Sequence, residues 1–191
     1  MTELSPIAER KIETSTTSAR QEIIVIGLGN PILGDDGVGW RVAQAVQSTI
    51  QESVPFDHDA MKDIRIEIDF LSLGGLSLME RMVGFTQVVL IDAIVTNDNP
   101  PGTVLQFSLD EVPSGSPGHM ASAHDTSLKA AVEMGRCAGV QLPEDIEIVA
   151  IESNHVYDFS EELSPSIEAA IPAARDLVME ILRTIITPKP D

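Results

Sequence analysis

The sequence predicts a three-layer α/β/α domain, in which a twisted, mostly parallel five-stranded sheet lies between helices and has one antiparallel edge strand. Two observations support this fold class. Apolar runs with strand character alternate with segments of helical periodicity, which indicates right-handed βαβ units. In addition, the runs around Val25 and Val89 are continuously apolar, as expected for central parallel strands covered on both faces. A chain of 191 residues is long enough for one such domain with a sizeable core.

Five apolar runs are predicted to form the strands. The run at 103–107 follows the short turn Asn99-Pro100-Pro101-Gly102 and is therefore expected to double back as the antiparallel edge strand. The predicted strands are residues 23–28, 64–71, 88–95, 103–107 and 146–151.

Apolar residues at helical spacing predict four helices between these strands. Ser164 and Pro165 are expected to be the N-cap and first residue of the last helix. Pro172 is expected to kink or split that helix, because proline cannot donate a backbone hydrogen bond. The apolar residues that define these helices span 38–50, 76–83, 128–138 and 167–185.

The charge balance restricts the partners of this protein. Thirty acidic residues against twelve basic ones give a formal net charge of -18, so nucleic acid and anionic membrane surfaces are unfavourable partners. The sequence has no apolar run near 18 residues, and membrane insertion is therefore not expected. A basic polypeptide segment or a metal ion fits this charge better.

Cysteine content and the first residues indicate a cytoplasmic protein. The single cysteine, Cys137, excludes an internal disulfide and fits a reducing compartment. We expect it to pack on its helix rather than to act as a nucleophile. Residues 1–20 lack the apolar core of a signal peptide and are interpreted as a flexible extension. A single domain is expected over residues 21–187.

The segment between the first strand and the first helix carries an unusual pair of acids. This acidic turn (residues 29–37) is glycine-rich, which usually favours phosphate binding. However, the dinucleotide-binding motif requires glycine where this chain has Ile32, and Asp35 and Asp36 occupy the Lys and Ser/Thr positions of a P-loop. Two carboxylates would repel a phosphate group. The turn therefore favours a cation or proton chemistry.

Three residues are predicted to meet at one edge of the sheet. Asp36 follows the first strand, Asp92 lies near the carboxyl end of the third, and His124 ends a long loop before a helix. Sites in open parallel sheets form outside the carboxyl ends of the strands. Two carboxylates and one imidazole are suitable ligands for Ni, Zn or Fe with open positions. They could equally supply a general base and an electrostatic stabiliser for hydrolysis.

Structural roles are alternatives for each of these residues. One of the two acids, Asp35 or Asp36, could cap the helix that follows, and Asp92 could bind a neighbouring loop. His124 has ordinary helix-capping residues around it. The other histidines are weaker candidates: His119 shares the loop, His58 lies between two acids, and His155 follows the last strand.

Three segments in order resemble the hydrogenase maturation endopeptidases. They are the glycine-rich stretch 26–39 with its acidic pair, residues 90–94 around Asp92, and Ser122-Ala123-His124 ahead of a helix. The resemblance covers about 23–186. Asp36 stands where the family often has Glu, and residues 69–75 depart from the family's Asp-Gly-Gly-Thr-like turn, which leaves the role of Asp69 open.

The resemblance implies an endopeptidase that removes the C-terminal extension of a nickel-iron hydrogenase large-subunit precursor after nickel insertion. Asp36, Asp92 and His124 would contact the nickel carried by the precursor, and Asp36 and Asp92 would be catalytic, as in an aspartic-type peptidase. No tightly bound cofactor is expected in the protein itself. The alternatives are a doubly wound domain that binds a nucleotide or flavin, and a non-catalytic metal- or subunit-binding maturation chaperone.

Overall fold

Five strands form one sheet in the computed structural model, which describes residues 21–53, 56, 61–111, 127–154, 156 and 159–187. The strand order is β2-β1-β3-β5-β4, with β4 antiparallel to β5 and the other neighbours parallel. The predicted fold class, including the antiparallel edge strand, is confirmed. The strands are β1 (Gln21–Leu28), β2 (Ile64–Leu71), β3 (Gln87–Ile94), β4 (Val104–Ser108) and β5 (Asp145–Glu152).

Four helices cover the two faces of this sheet. The helices are α1 (Val38–Ser53), α2 (Gly75–Arg81), α3 (Leu128–Cys137) and α4 (Pro165–Ile186). Helices α1 and α4 bury their apolar residues against one face, and α2 and α3 bury theirs against the other. Short 3-10 turns at Gly34–Gly37 and Leu109–Glu111 precede α1 and follow β4.

The central strands are apolar at consecutive positions because each face of the sheet has its own core. In β1, Val25 belongs to the core under α1 and α4, whereas Ile24 and Ile26 belong to the core under α2 and α3. Successive side chains of a strand point to opposite faces. The continuous apolar runs therefore reflect double coverage, as predicted.

Helix α4 begins as predicted but is not split. Ser164 is its N-cap and Pro165 its first residue, and the helix continues without interruption through Pro172. Residues on both sides of Pro172, including Ile167 and Val178, pack in the same core. Because both halves bury apolar side chains against the same sheet face, packing outweighs the lost backbone hydrogen bond.

Two further expectations concern single segments. Cys137 is exposed, so the prediction that it packs is wrong: the buried face of α3 is formed by Leu128, Ala131, Val132 and Gly135, and Cys137 lies off that face. The predicted N-terminal extension, residues 1–20, lies outside the described residues.

Among the helices that the structure describes, none is both long and apolar enough to span a membrane.

The topology places a switch point at the carboxyl ends of β1 and β3. The chain leaves β1 toward β2 on one side, and β3 pairs with β1 on the other side. The loops that leave the two neighbouring strands therefore run in opposite directions. Open α/β sheets usually bind ligands between such loops. Asp36 and Asp92 both belong to segments at this edge.

Candidate functional site

Asp36 lies in a 3-10 turn that folds back on the end of β1. Its side chain is buried, with 6% of the residue exposed, and its Oδ2 accepts a hydrogen bond of 2.6 Å from the backbone N–H of Asn30. The side chain of Asn30 accepts a hydrogen bond from the N–H of Ile32, and its carbonyl oxygen accepts one from Leu33. Asn30 therefore fixes the turn, and the turn holds the Asp36 carboxylate in one orientation.

Gly29 makes this tight turn possible. Its φ angle is 127°, a region that residues with a Cβ rarely adopt. A Cβ at this position would also overlap the carbonyl oxygen of Asp36. The glycine is therefore required where the chain doubles back.

Asp92 lies in β3 beside Ala150 of β5 and is fully buried. The alternation of the strand places it on the same face as Leu90 and Ile94. Those two residues pack in one core with Leu128, the first residue of α3. Asp92 therefore belongs to the face of the sheet that α3 covers, near the carboxyl edge.

Helix α1 begins directly against the ends of β1 and β3. A Cβ on Gly39 would overlap the carbonyl oxygens of both Leu28 and Ile91, and the 3-10 turn of the acidic pair packs against β3. The backbone of the acidic turn is thus held beside the residue that precedes Asp92. This close approach places the two predicted carboxylates on neighbouring segments of one edge.

All four histidines, including His124, lie outside the described residues. Several of their neighbours in the sequence lie outside them as well. Within the described part of the chain, no group of three His, Cys, Asp or Glu side chains is arranged to hold a metal ion. The next described residue after His124 is Ser127, the N-cap of α3, whose hydroxyl accepts a hydrogen bond from the N–H of Ala130. The three-residue site stays a prediction.

Asp35 has a different environment from Asp36. It is 1% exposed; its Oδ1 accepts a 2.6 Å hydrogen bond from the N–H of Ser164, and its Oδ2 accepts hydrogen bonds from the hydroxyls of Ser164 (2.9 Å) and Ser153 (3.0 Å). The carboxylate therefore joins the acidic turn to the end of β5 and the start of α4. Of the two adjacent acids, Asp35 therefore has a structural role. It binds the start of α4 and does not cap α1, the helix that follows it in the chain.

Sequence reasoning missed Ser153 and assigned only a capping role to Ser164. The hydroxyl of Ser164 donates to Asp35 and makes no capping hydrogen bond to the backbone of α4. A polar residue directly after an apolar strand was the available signal for Ser153. The partner of that residue could not be read from the sequence, because Asp35 lies 118 positions away.

Replacing Asp35 with alanine is expected to lower the free energy of unfolding by about 2–4 kcal/mol, because buried donors at Ser153 and Ser164 would lose their acceptor. Urea unfolding followed by circular dichroism measures this loss. Asp35→Asn keeps the side-chain shape and one acceptor and is expected to lose less. The exposed Asp176, paired with Arg175, supplies the control Asp176→Ala, and equal stability of the two alanine variants would contradict the role given to Asp35.

Asp69, whose role the sequence left open, takes part in an ion pair on β2. Its Oδ2 accepts a 2.6 Å hydrogen bond from Nε of Arg81, and Glu67 binds the same guanidinium. Burial lowers the pKa of Arg81, but hydrogen bonding and the negative charge of Asp69 and Glu67 raise it further, so the net shift is upward. Asp69 therefore anchors α2 to β2, the strand at the other edge of the sheet from β4.

Comparisons with known proteins identify the family. The model of a hydrogenase maturation protease family (HycI) matches residues 71–181, more than half of the chain. Over 163 residues the chain is 28% identical to the hydrogenase expression/formation protein HupD of Thiocapsa roseopersicina, covering 84% of this chain and 67% of that protein. Over 161 residues it is 27% identical to the hydrogenase 2 maturation protease of Escherichia coli (strain K12), covering 84% and 90%.

Solved structures agree with the fold. The hydrogenase maturating endopeptidase HybD from E. coli aligns with a TM-score of 0.66 at 24% identity, over 86% of this chain and 94% of that one. The [NiFe] hydrogenase maturation protease HybD from Thermococcus kodakarensis aligns with a TM-score of 0.56 at 18% identity, over 84% and 99%. Together with the buried acids at the carboxyl edge of the sheet, the family match leads to one conclusion: this chain belongs to the hydrogenase maturation protease family.

Proposed function

We propose that this protein is an endopeptidase that removes the C-terminal extension from the large-subunit precursor of a nickel-iron hydrogenase after nickel insertion. The observation that carries the proposal is a pair of buried aspartates, Asp36 and Asp92, on neighbouring segments at the carboxyl edge of the sheet, in a chain of the hydrogenase maturation protease family. The family assignment favours this protease over a domain that binds a nucleotide or flavin.

The proposed site would read nickel as part of the substrate. Nickel would arrive bound to the precursor, and Asp36, Asp92 and His124 would supply oxygen and nitrogen ligands to its open positions. The strongly acidic chain, with a net charge of -18, favours a partner that presents a cation. A precursor without nickel would lack this contact and would escape cleavage.

The position of α3 supports the inclusion of His124. Leu128, the first residue of α3, shares a core with Leu90 and Ile94, between which Asp92 lies on β3. His124 precedes Leu128 by four residues in the sequence, a separation that an extended chain covers in at most about 14 Å. This short separation along the chain supports the inclusion of His124 in the proposed site.

Asp36 and Asp92 are proposed as the catalytic acids of an aspartic-type peptidase. One of the two carboxylates would act as the general base that takes a proton from the attacking water. Exclusion of solvent around these buried groups strengthens their electrostatic effect on the reacting peptide bond. The backbone N–H of Asn30, which donates to Oδ2 of Asp36, would keep that carboxylate oriented during the reaction.

We further propose that the protein acts in the cytoplasm and carries no tightly bound metal of its own. A single cysteine suits a reducing compartment. Nickel delivered by the precursor would make a resident metal unnecessary for recognition.

Incubation with nickel-loaded and nickel-free precursor tests the proposal directly. We expect the large subunit to lose a short C-terminal peptide only when the precursor contains nickel, because the metal supplies the anchoring contact. Intact-mass spectrometry of the large subunit measures the outcome. Equal cleavage of both forms would remove the nickel-sensing role, and a stable complex without any truncated product would favour the maturation chaperone instead.

A further inference from the structure

Exposed large apolar side chains are concentrated around the acidic turn. Single apolar residues are common on protein surfaces, but clusters next to a site indicate binding. Among the described residues, six large hydrophobic side chains are exposed. Four of them lie in the acidic turn or in segments next to it at the carboxyl edge of the sheet, and we refer to these four as the apolar rim: Ile32, Leu73, Leu76 and Phe159.

Hydrogen bonds hold one half of the rim against the acidic turn. The N–H of Ser160 donates to the carbonyl oxygen of Ile32 (3.1 Å), and the N–H of Gly34 donates to the carbonyl oxygen of Ser160 (2.7 Å). Phe159, which is 87% exposed, is thus held beside Ile32 although its ring has almost no protein contact. A fixed backbone with a ring directed to solvent is suited to receive a partner.

The other half of the rim is held on the opposite side of the turn. The N–H of Gly29 donates to the carbonyl oxygen of Leu71 (3.1 Å), and the hydroxyl of Ser72 donates to the carbonyl oxygen of Gly29 (2.6 Å). Leu73 follows directly, and Leu76 lies in the first turn of α2. Both leucines are exposed.

Helix α1 holds the loops that carry both halves of the apolar rim. Nε1 of Trp40 donates to the carbonyl oxygen of Leu71 (3.2 Å), and Nη2 of Arg41 donates to the carbonyl oxygen of Glu161 (3.3 Å). The two loops that carry the rim are therefore attached to successive residues of one helix. The distance between the halves of the rim is set before any partner binds, which reduces the entropy lost on binding.

We propose that the apolar rim binds apolar side chains of the precursor's C-terminal segment on both sides of the bond to be cut. This inference rests on the proposed function, because it takes Asp36 in the acidic turn as part of the active site. A protease must hold its substrate chain across the catalytic groups, and the rim offers contacts on both sides of the turn. The contacts are apolar, so they complement rather than repeat the recognition of the cation.

Replacement of rim residues by serine, in the full-length protein, tests the assignment. We expect the double variant Leu76→Ser/Phe159→Ser to raise the KM for nickel-loaded precursor about tenfold or more, as for loss of interface anchors, with kcat changed less than about twofold. Val83→Ser/Met134→Ser is the matched control, since Val83 and Met134 are the other two exposed residues of the six. Its KM should equal that of the unmodified protein.

Four results would overturn or separate the proposals. An unchanged KM in the rim variant, or an equal rise in the control, would overturn the inference. A change from dimer to monomer in analytical ultracentrifugation, with KM unchanged, would instead identify the rim as a contact between copies of this chain. If the unmodified protein binds nickel-loaded precursor without cleaving it, the proposed function fails. In that case, a higher Kd for the rim variant, with the Kd of the control unchanged, would still support precursor binding by the apolar rim.

Discussion

Replacing Asp36 with asparagine is expected to lower the rate of precursor processing by a factor of about 100 to 10,000, the usual contribution of a general base. Asparagine has the same shape and can still accept the hydrogen bond from the N–H of Asn30, which Oδ2 of Asp36 accepts at 2.6 Å. The substitution therefore removes the negative charge and leaves the turn in place. Intact-mass spectrometry of nickel-loaded precursor over time measures the rate.

Two companion variants make this result specific. Asp36→Glu preserves the negative charge on a longer side chain, and we expect it to retain activity. Asp176→Asn removes an exposed acid paired with Arg175 on α4 and should process precursor normally. Full activity of Asp36→Asn, with unfolding unchanged, would remove Asp36 from the mechanism.

Gly39→Ala is expected to lower the free energy of unfolding by about 3 kcal/mol, the upper end of the usual cost of overpacking. The added Cβ would overlap the carbonyl oxygens of Leu28 and Ile91. Because both atoms are backbone atoms of central strands, α1 has to move away from the sheet. The higher helix propensity of alanine offsets only about 1 kcal/mol of this cost. Urea unfolding measures the difference.

Gly135→Ala is the matched control for this prediction. Gly135 is also a buried helical glycine, but a Cβ there would meet the side-chain ends of Leu142 (2.8 Å) and Met79 (3.1 Å). Flexible side chains can rotate away, so we expect a change within about 1 kcal/mol. If Gly39→Ala were as stable as Gly135→Ala, the close approach of α1 to the strand ends would be wrong.

The strands were predictable because their signal is local. Residues 64–71 were predicted and observed as β2, and the predicted run 88–95 differs from β3 (Gln87–Ile94) by one residue at each end. Continuous apolar runs require coverage on both faces, and a short connection with two prolines requires reversal. These constraints predict the parallel core and the reversed direction of β4 from local sequence, whereas the pairing of β4 with β5 is a contact between distant segments.

The candidate site was only partly predictable. The order of strands and helices indicated that Asp36 and Asp92 lie at one edge, and the packing of the acidic turn against β3 agrees with that. The sequence could not show which of the two adjacent acids has a structural role, because Asp35 and Asp36 have the same chemistry and the same local sequence. The roles of Asp36, Asp92 and His124 in metal recognition and catalysis stay predictions.

The sequence alone determined the fold class and the acidic character of the turn, since these follow from residue types and their spacing. Only the tertiary structure decided that Asp35 binds the start of α4, that α4 continues through Pro172 and that α1 contacts the ends of two strands. Each of these depends on residues that lie far apart in the chain or on packing against a shared core. Such contacts are fixed by how helices are placed on the sheet, and no local pattern encodes that placement.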